Sequence, residues 1–321
     1  MTAVTTKKAS PAAGIADKKA SRFGLENLGL IHLNQVYWNL STEALCEEIT
    51  FRGEGTVTDD GRIVVETGQH TDLAVNDHFV VQEGGTEDRI SWGEYNRPFS
   101  EKMFNAVFQR VEAFLQGHDL FVQDCYAGTD PNYHVSVRMI TEKAWHSLFS
   151  KTLHTITKTE EEWRDFAPEF TILVVPSFKA NPMFDATNSD AFVLTDFGRR
   201  LCIIGGTEHA GEIKKAVFNM LNFVLPLEYV LPMHCAANAS PDGEAALFFG
   251  LRGSGKTTLA VNGDRVLIGD DGHGWSEEGI FSLEGGVYAA LYGFKDADNE
   301  QIASCLRRSG TIIENATVTR E

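Results

Sequence analysis

The stretch Glu244–Trp275 reads EAALFFGLRGSGKTTLAVNGDRVLIGDDGHGW. It begins with a short apolar run, Ala245–Phe249, closed by Gly250, which predicts a buried strand. Gly250, Leu251, Arg252, Gly253, Ser254, Gly255, Lys256 and Thr257 then match the phosphate-loop pattern G-x-x-x-x-G-K-[ST] in full. Glycine is needed there because backbone N–H groups must turn inward and approach phosphate oxygens, where a Cβ would obstruct them. Thr257 and Thr258 open a predicted helix whose N-terminal end favours the same anion. Lys256 is placed to reach the outer phosphates, and the Thr257 hydroxyl to sit on a divalent cation. A second apolar strand, Val266–Ile268, runs through Gly269 into Asp270 and Asp271, the carboxylates a phosphate loop needs on its metal side. Strand, loop, helix and strand with two aspartates together predict a nucleoside triphosphate site.

Around this stretch the composition is that of an ordinary globular protein, 43% hydrophobic and 23% charged. At 321 residues the chain exceeds the usual span of a single core, so two domains are expected, 22–228 and 229–321. A net charge of -17 argues against a nucleic-acid groove or an anionic membrane surface as partner. Basic residues must therefore be concentrated wherever a triphosphate binds. Cys46, Cys125, Cys202, Cys235 and Cys305 form no C-x-x-C pair and are odd in number, which reads as reduced thiols of a cytoplasmic protein. No apolar run approaches the length needed to span a membrane. The start is basic, without the apolar segment of a secretory signal, and 1–21 reads as a disordered tail.

Taken in order, the chain then predicts a strand over Ile31–Leu40 and a capped helix from Ser41 to Ile49. A hairpin over Val57–Glu66 turns at Asp60-Gly61, and a strand follows at His78–Gln82. Ser100–Gln116 has helical apolar spacing, Phe121–Tyr126 and His134–Ile140 look like strands, and Thr141–Leu153 reads as helical. Phe170–Val175, Ala191–Leu194 and Leu201–Ile204 complete a mixed sheet, and the helix Glu212–Leu225 ends at Pro226. The fold class expected is α/β, a mixed substrate-side domain followed by a phosphate-loop domain.

Several separated segments, in order, resemble the ATP-dependent phosphoenolpyruvate carboxykinases. They are Gly29–Asn34 (GLIHLN), Pro176–Pro182 (PSFKANP), Gly205–Lys215 (GGTEHAGEIKK), Leu231–Asn238 (LPMHCAAN), Phe248–Thr258, Leu267–Trp275 and Glu284-Gly285-Gly286. The resemblance runs from about residue 22 to the end. It implies a cytoplasmic, monomeric carboxy-lyase of gluconeogenesis, converting oxaloacetate and ATP to phosphoenolpyruvate, carbon dioxide and ADP. It further implies Mn²⁺ on Lys215, His234 and Asp271, with Mg²⁺ on Thr257 and the phosphates and Asp270 close by. Lys214, Lys215, Lys256, Asp270 and Arg252 take the catalytic roles, and His209 and Lys215 face the substrate. Residues 250–258, with Lys215 and His234, take the nucleotide and cofactor. A lysine ligates only as the neutral amine, which a neighbouring dication favours, whereas imidazole and carboxylate are ordinary ligands for Mn²⁺.

The departures from the family pattern are also informative. The family's Thr-Gly-Arg-Ser-Pro is Thr71-Asp72-Leu73-Ala74-Val75 here, so the arginine expected to clamp a substrate carboxylate is Leu73. The family's tyrosine is His209, its serine in the phosphate loop is Arg252, a lysine is Ala290 and an acidic residue is Gly272. The family also continues for a couple of hundred residues past the position of Glu321. Three readings follow: a carboxykinase, incomplete or diverged; a remnant that binds metal or nucleotide without efficient turnover; and a generic phosphate-loop kinase, disfavoured by Lys215 and His234.

Overall fold

Alternation along two strands sets the architecture. Phe121, Cys125, Ile172 and Val174 point into one core, while Leu120, Val122, Leu173 and Val175 point into a second. Strands that feed apolar side chains to both faces must be covered on both. The computed structural model describes residues 10–11, 20–156, 159–251, 253–261, 264–291 and 300–317. Most of the expected tail at 1–21 lies outside these described residues.

The main sheet is mixed and runs in the order Val36–Trp38, Leu120–Ala127, Val135–Thr141, Phe170–Val175, Leu201–Gly205, Phe192–Asp196, His78–Gln82 and Arg97–Ser100. Thr155–Ile156 pairs to Leu120–Ala127 beside it. The helix Glu101–Leu115 covers one face with Phe104, Val107, Val111 and Leu115, all fully buried at helical spacing. Ser100 caps its start, accepting the Met103 N–H at 3.2 Å. Helices Thr42–Arg52, Ala144–Leu153 and Gly211–Val224 cover the other face through Leu45, Ile49, Trp145, Leu148, Ile213 and Met220. Within the sheet, Asp124 and Arg138 stand opposite each other in register and form a two-pronged ion pair at 2.7 and 3.1 Å, with neither side chain more than 1% exposed.

Three smaller sheets complete the fold. Leu231–His234 pairs Gly272–Ser276, which pairs Gly279–Ser282; Ala236–Ala239 lies between Ala245–Phe248 and Val266–Gly269. In the third, Ile63–Val65 lies between Thr56–Val57 and Ile312–Glu314, so a strand late in the chain returns in parallel to an early hairpin. Among the described residues no helix is long and apolar enough to cross a membrane.

Several expected elements shift, each for a local reason. The strand expected over 31–40 contracts to Val36–Trp38, because His32 and Asn39 sit at φ +58° and +48°, outside any strand conformation. The helix expected from Thr141 begins at Ala144, because Thr141 still pairs in the sheet and the Glu142 N–H donates to the Val174 carbonyl at 3.1 Å. Ala245–Phe248 is a strand, but not the buried one expected. Among the described residues it pairs on one side only, no residue of it is buried, and Phe249 beyond it is 64% exposed.

Candidate functional site

The helix Gly211–Val224 and two strand ends build the site. His234 closes the strand Leu231–His234, opposite Gly272, which immediately follows Asp271. The Cys235 N–H donates to the Asp271 carbonyl at 2.7 Å and holds the two segments together. As a result His234 Nε2 lies 2.5 Å from Asp271 Oδ1. Lys214, on the helix, reaches across to Asp271 Oδ2 at 2.7 Å and to Glu284 Oε2 at 3.1 Å.

The electrostatics follow from burial and charge. Burial alone would push the Asp271 carboxyl up, but the His234 hydrogen bond and the Lys214 charge outweigh it and hold it well below the usual carboxylate range. At Asp270 burial prevails instead and pushes the carboxyl up to about 6, against a downward pull from Lys214. Burial likewise pushes Glu284 up to about 7 despite Lys214. Burial disfavours the charged form of Lys214, yet Glu284, Asp271 and Asp270 overcome it and raise its pKa. Three carboxyls thus surround one ammonium, a balance that favours added positive charge.

Lys215, the lysine expected on the metal, is not in this cluster. Its ammonium lies 5.9 Å from the centroid of the Phe218 ring, while its neighbour Lys214 pairs with Asp271. Among the described residues no group of three or more His, Cys, Asp or Glu is placed to hold a metal. The atoms that fit a divalent ion are the His234 imidazole nitrogen and the Asp271 carboxylate, which converge from separate strands.

The phosphate loop has the expected local shape. Gly253 and Gly255 adopt φ +79° and +87°, the left-handed region where glycine carries no Cβ penalty. The short helix Lys256–Ala260 starts directly after them, carrying Thr257 and Thr258 in its first turn. Lys256 Nζ donates to the loop's own carbonyls, those of Gly250 at 2.9 Å and Leu251 at 3.2 Å. Ser254 closes the turn, its N–H donating to the Leu251 carbonyl at 3.1 Å. The Lys256 charge is near enough to help lower Asp270, so loop and acidic cluster share one electrostatic field. Arg252 lies outside the described residues.

At the position expected to meet the substrate, Leu73 offers only its backbone, its N–H donating to Asp72 Oδ1 at 2.9 Å. The next N–H, of Ala74, donates to Glu212 Oε1 at 2.6 Å, tying this segment to the helix that carries both lysines. His209 is nearly buried just before that helix, its Nδ1 2.8 Å from Glu314 Oε2. Sequence reasoning assigned no role to Glu284 or Glu314. Glu284 was visible only within a Glu-Gly-Gly segment, and Glu314 had no local signal.

The residues 34–321 match the family model for phosphoenolpyruvate carboxykinase. The ATP-dependent phosphoenolpyruvate carboxykinase of Geobacter sp. (strain M21) is 46% identical over 295 residues, covering 92% of this chain and 56% of the relative. That of Geotalea uraniireducens (strain Rf4) is 45% identical over 296 residues, with the same two shares. That of Caldanaerobacter subterraneus is 46% identical over 300 residues, 92% of this chain and 57% of the relative. The chain therefore spans a little over half the length of these curated relatives. A family match over nearly the whole chain, at these identities and with the phosphate loop beside the Lys214–Asp271–His234 cluster, makes this chain a member of the ATP-dependent phosphoenolpyruvate carboxykinase family.

Proposed function

We propose that this chain carries the metal and phosphate side of an oxaloacetate-decarboxylating phosphotransfer: oxaloacetate and ATP give phosphoenolpyruvate, carbon dioxide and ADP. The observation that carries the reading is the convergence of His234, Asp271 and Lys214 beside the phosphate loop. Loss of carbon dioxide leaves an enolate, whose oxygen must then meet the γ-phosphoryl group in line. His234 and Asp271 would hold Mn²⁺, with Mg²⁺ on Thr257; Lys215, which lies over Phe218, would have to turn toward them to join as a neutral amine, and the bound cations would supply charge stabilisation for enolate and phosphoryl oxygens. Lys214 balances Asp271 and Glu284 at the cluster's edge. Lys256, now on two loop carbonyls, exchanges them for the β- and γ-phosphates when nucleotide enters. In this reading 22–228 contributes the substrate side and 229–321 the nucleotide side of a monomer. The free cysteines support a reducing, cytoplasmic setting.

Leu73 favours a second reading, a family member that binds cation or nucleotide but turns over poorly, since it supplies no donor to a substrate carboxylate. A coupled assay with oxaloacetate, ATP and Mn²⁺ separates the two. Turnover supports the first, and ATP binding without turnover supports the second. Asp72→Gly with Leu73→Arg should then raise kcat/KM by roughly thirty-fold or more, the scale of one well-placed donor.

A further inference from the structure

Glu314 ends the strand Ile312–Glu314, opposite Val65. Its side chain is 9% exposed, and three donors converge on it. Oε2 lies 2.8 Å from His209 Nδ1, while Oε1 accepts the Tyr288 hydroxyl at 3.1 Å and the Ala210 N–H at 3.3 Å. An ionised carboxylate can only accept, so the proton between it and His209 must sit on Nδ1. Among the described residues no hydrogen bond reaches Nε2, the ring's other polar atom. The ring packs against Gly211, where a Cβ would stand 2.4 Å from Nε2. The same carboxylate fixes Tyr288, whose ring is packed edge-on by Phe149 at 5.3 Å and lies 5.9 Å from Lys214 Nζ. One largely enclosed carboxylate therefore holds both His209 and Tyr288, whose ring centroids are 6.2 Å apart, and Tyr288 in turn borders Lys214. The tyrosine that the family places at position 209 has a single polar atom, whereas a histidine has two and needs a partner to choose between them.

We propose that Glu314 is a positioning residue of the site. It locks His209 in the tautomer with Nδ1 protonated, leaving Nε2 for the substrate, and holds Tyr288 against Lys214. The substrate named here rests on the carboxykinase reading; the tautomer does not. The test uses the full chain labelled with ¹⁵N-histidine, with His209 assigned by the signal lost in His209→Asn. The wild type is expected to show Nδ1 protonated. Glu314→Ala is expected to shift His209 toward the Nε2-protonated form, and Glu314→Gln, whose carbonyl still accepts, to retain the original tautomer. Oxaloacetate binding with Mn²⁺, read by calorimetry, should weaken about tenfold in Glu314→Ala, the scale of losing a partner that orients a binding side chain, and largely recover in Glu314→Gln. An unchanged tautomer in Glu314→Ala overturns the proposal, as does a variant in which only the melting temperature moves. Should Glu314→Ala fail to fold, Glu314→Met, which keeps the side chain's length, is read in its place. A wild type that shows the tautomer but binds no oxaloacetate overturns the carboxykinase reading and the substrate role of Nε2, and leaves the tautomer lock standing.

Discussion

His234 Nε2 and Asp271 Oδ1 lie 2.5 Å apart at the end of an antiparallel pair of strands. The Cys235–Asp271 backbone hydrogen bond fixes both main chains, so the side chains meet without either helix or loop having to move. An imidazole nitrogen and a carboxylate oxygen held this way are ready to share a cation, and Lys214 occupies the second carboxylate oxygen.

Asp271→Ala removes one of the two converging atoms and the anchor of Lys214 together. Mn²⁺ affinity is expected to fall roughly tenfold or more, a typical loss at a metal site. Paramagnetic titration of free Mn²⁺ measures it directly. Equal affinity in wild type and variant would place the ion elsewhere.

Lys256→Ala should weaken ATP·Mg binding by about 1.5–3 kcal/mol, the net worth of a hydrogen bond to a charged partner. The folded chain loses little, because the lysine's present bonds are to partly exposed loop carbonyls. Titration calorimetry together with a melting curve tests both halves of the statement. A large drop in melting temperature with unchanged affinity would contradict it.

Arg138→Ala leaves Asp124 charged and unpaired between two covered faces of the sheet. The expected loss of stability is about 3–5 kcal/mol, read as a shift in the urea midpoint. Replacing both partners, as Arg138→Met with Asp124→Leu, should cost far less, because no orphaned charge remains. A double variant as damaged as the single one would show that shape, not charge, dominates there.

Glu54 supplies a pH dependence whose sign can be worked out. Burial pushes its carboxyl up to about 7, although the Trp145 N–H donates to it at 3.1 Å. The folded chain therefore holds this proton more tightly than the unfolded chain, whose glutamates titrate near about 4.3. Stability is greatest below that lower value, falls as pH rises toward 7, and is flat above. The residue is only half-buried, and solvent screening trims the fall to about 2 kcal/mol. Glu54→Gln should flatten this part of the stability–pH profile; a parallel profile in the variant would refute the assignment.

What the sequence made legible was local. The phosphate loop could be read because its glycines and lysine act through the backbone immediately around them, and Glu101–Leu115 because its apolar spacing matches one turn after another. Lys214 and Lys215 differ only by their phase on one helix. Which of them faces Asp271 depends on how Ile213, Val217 and Met220 seat that helix on the sheet. Glu284 and Glu314 enter through pairings between distant segments, and a carboxylate at a strand end has no local signature. The apolar run Ala245–Phe249 reads as buried because an apolar pattern reports side-chain character, whereas burial also needs a neighbour to pack against.

The parallel pairing of Ile312–Glu314 with Ile63–Val65 also has a consequence in time. Asn315 Oδ1 accepts the Thr67 N–H across 248 residues of chain. During synthesis at about 5–20 residues per second, the hairpin around Ile63 emerges roughly 12–50 s before the strand that completes its sheet. For that interval the hairpin has an open edge, whereas His209, made 105 residues before Glu314, waits only roughly 5–21 s for the carboxylate that orients it, and Tyr288, 26 residues before it, about 1–5 s. The carboxylate-ordered part of the site thus cannot form until Glu314 has been made, well after the hairpin that its strand completes.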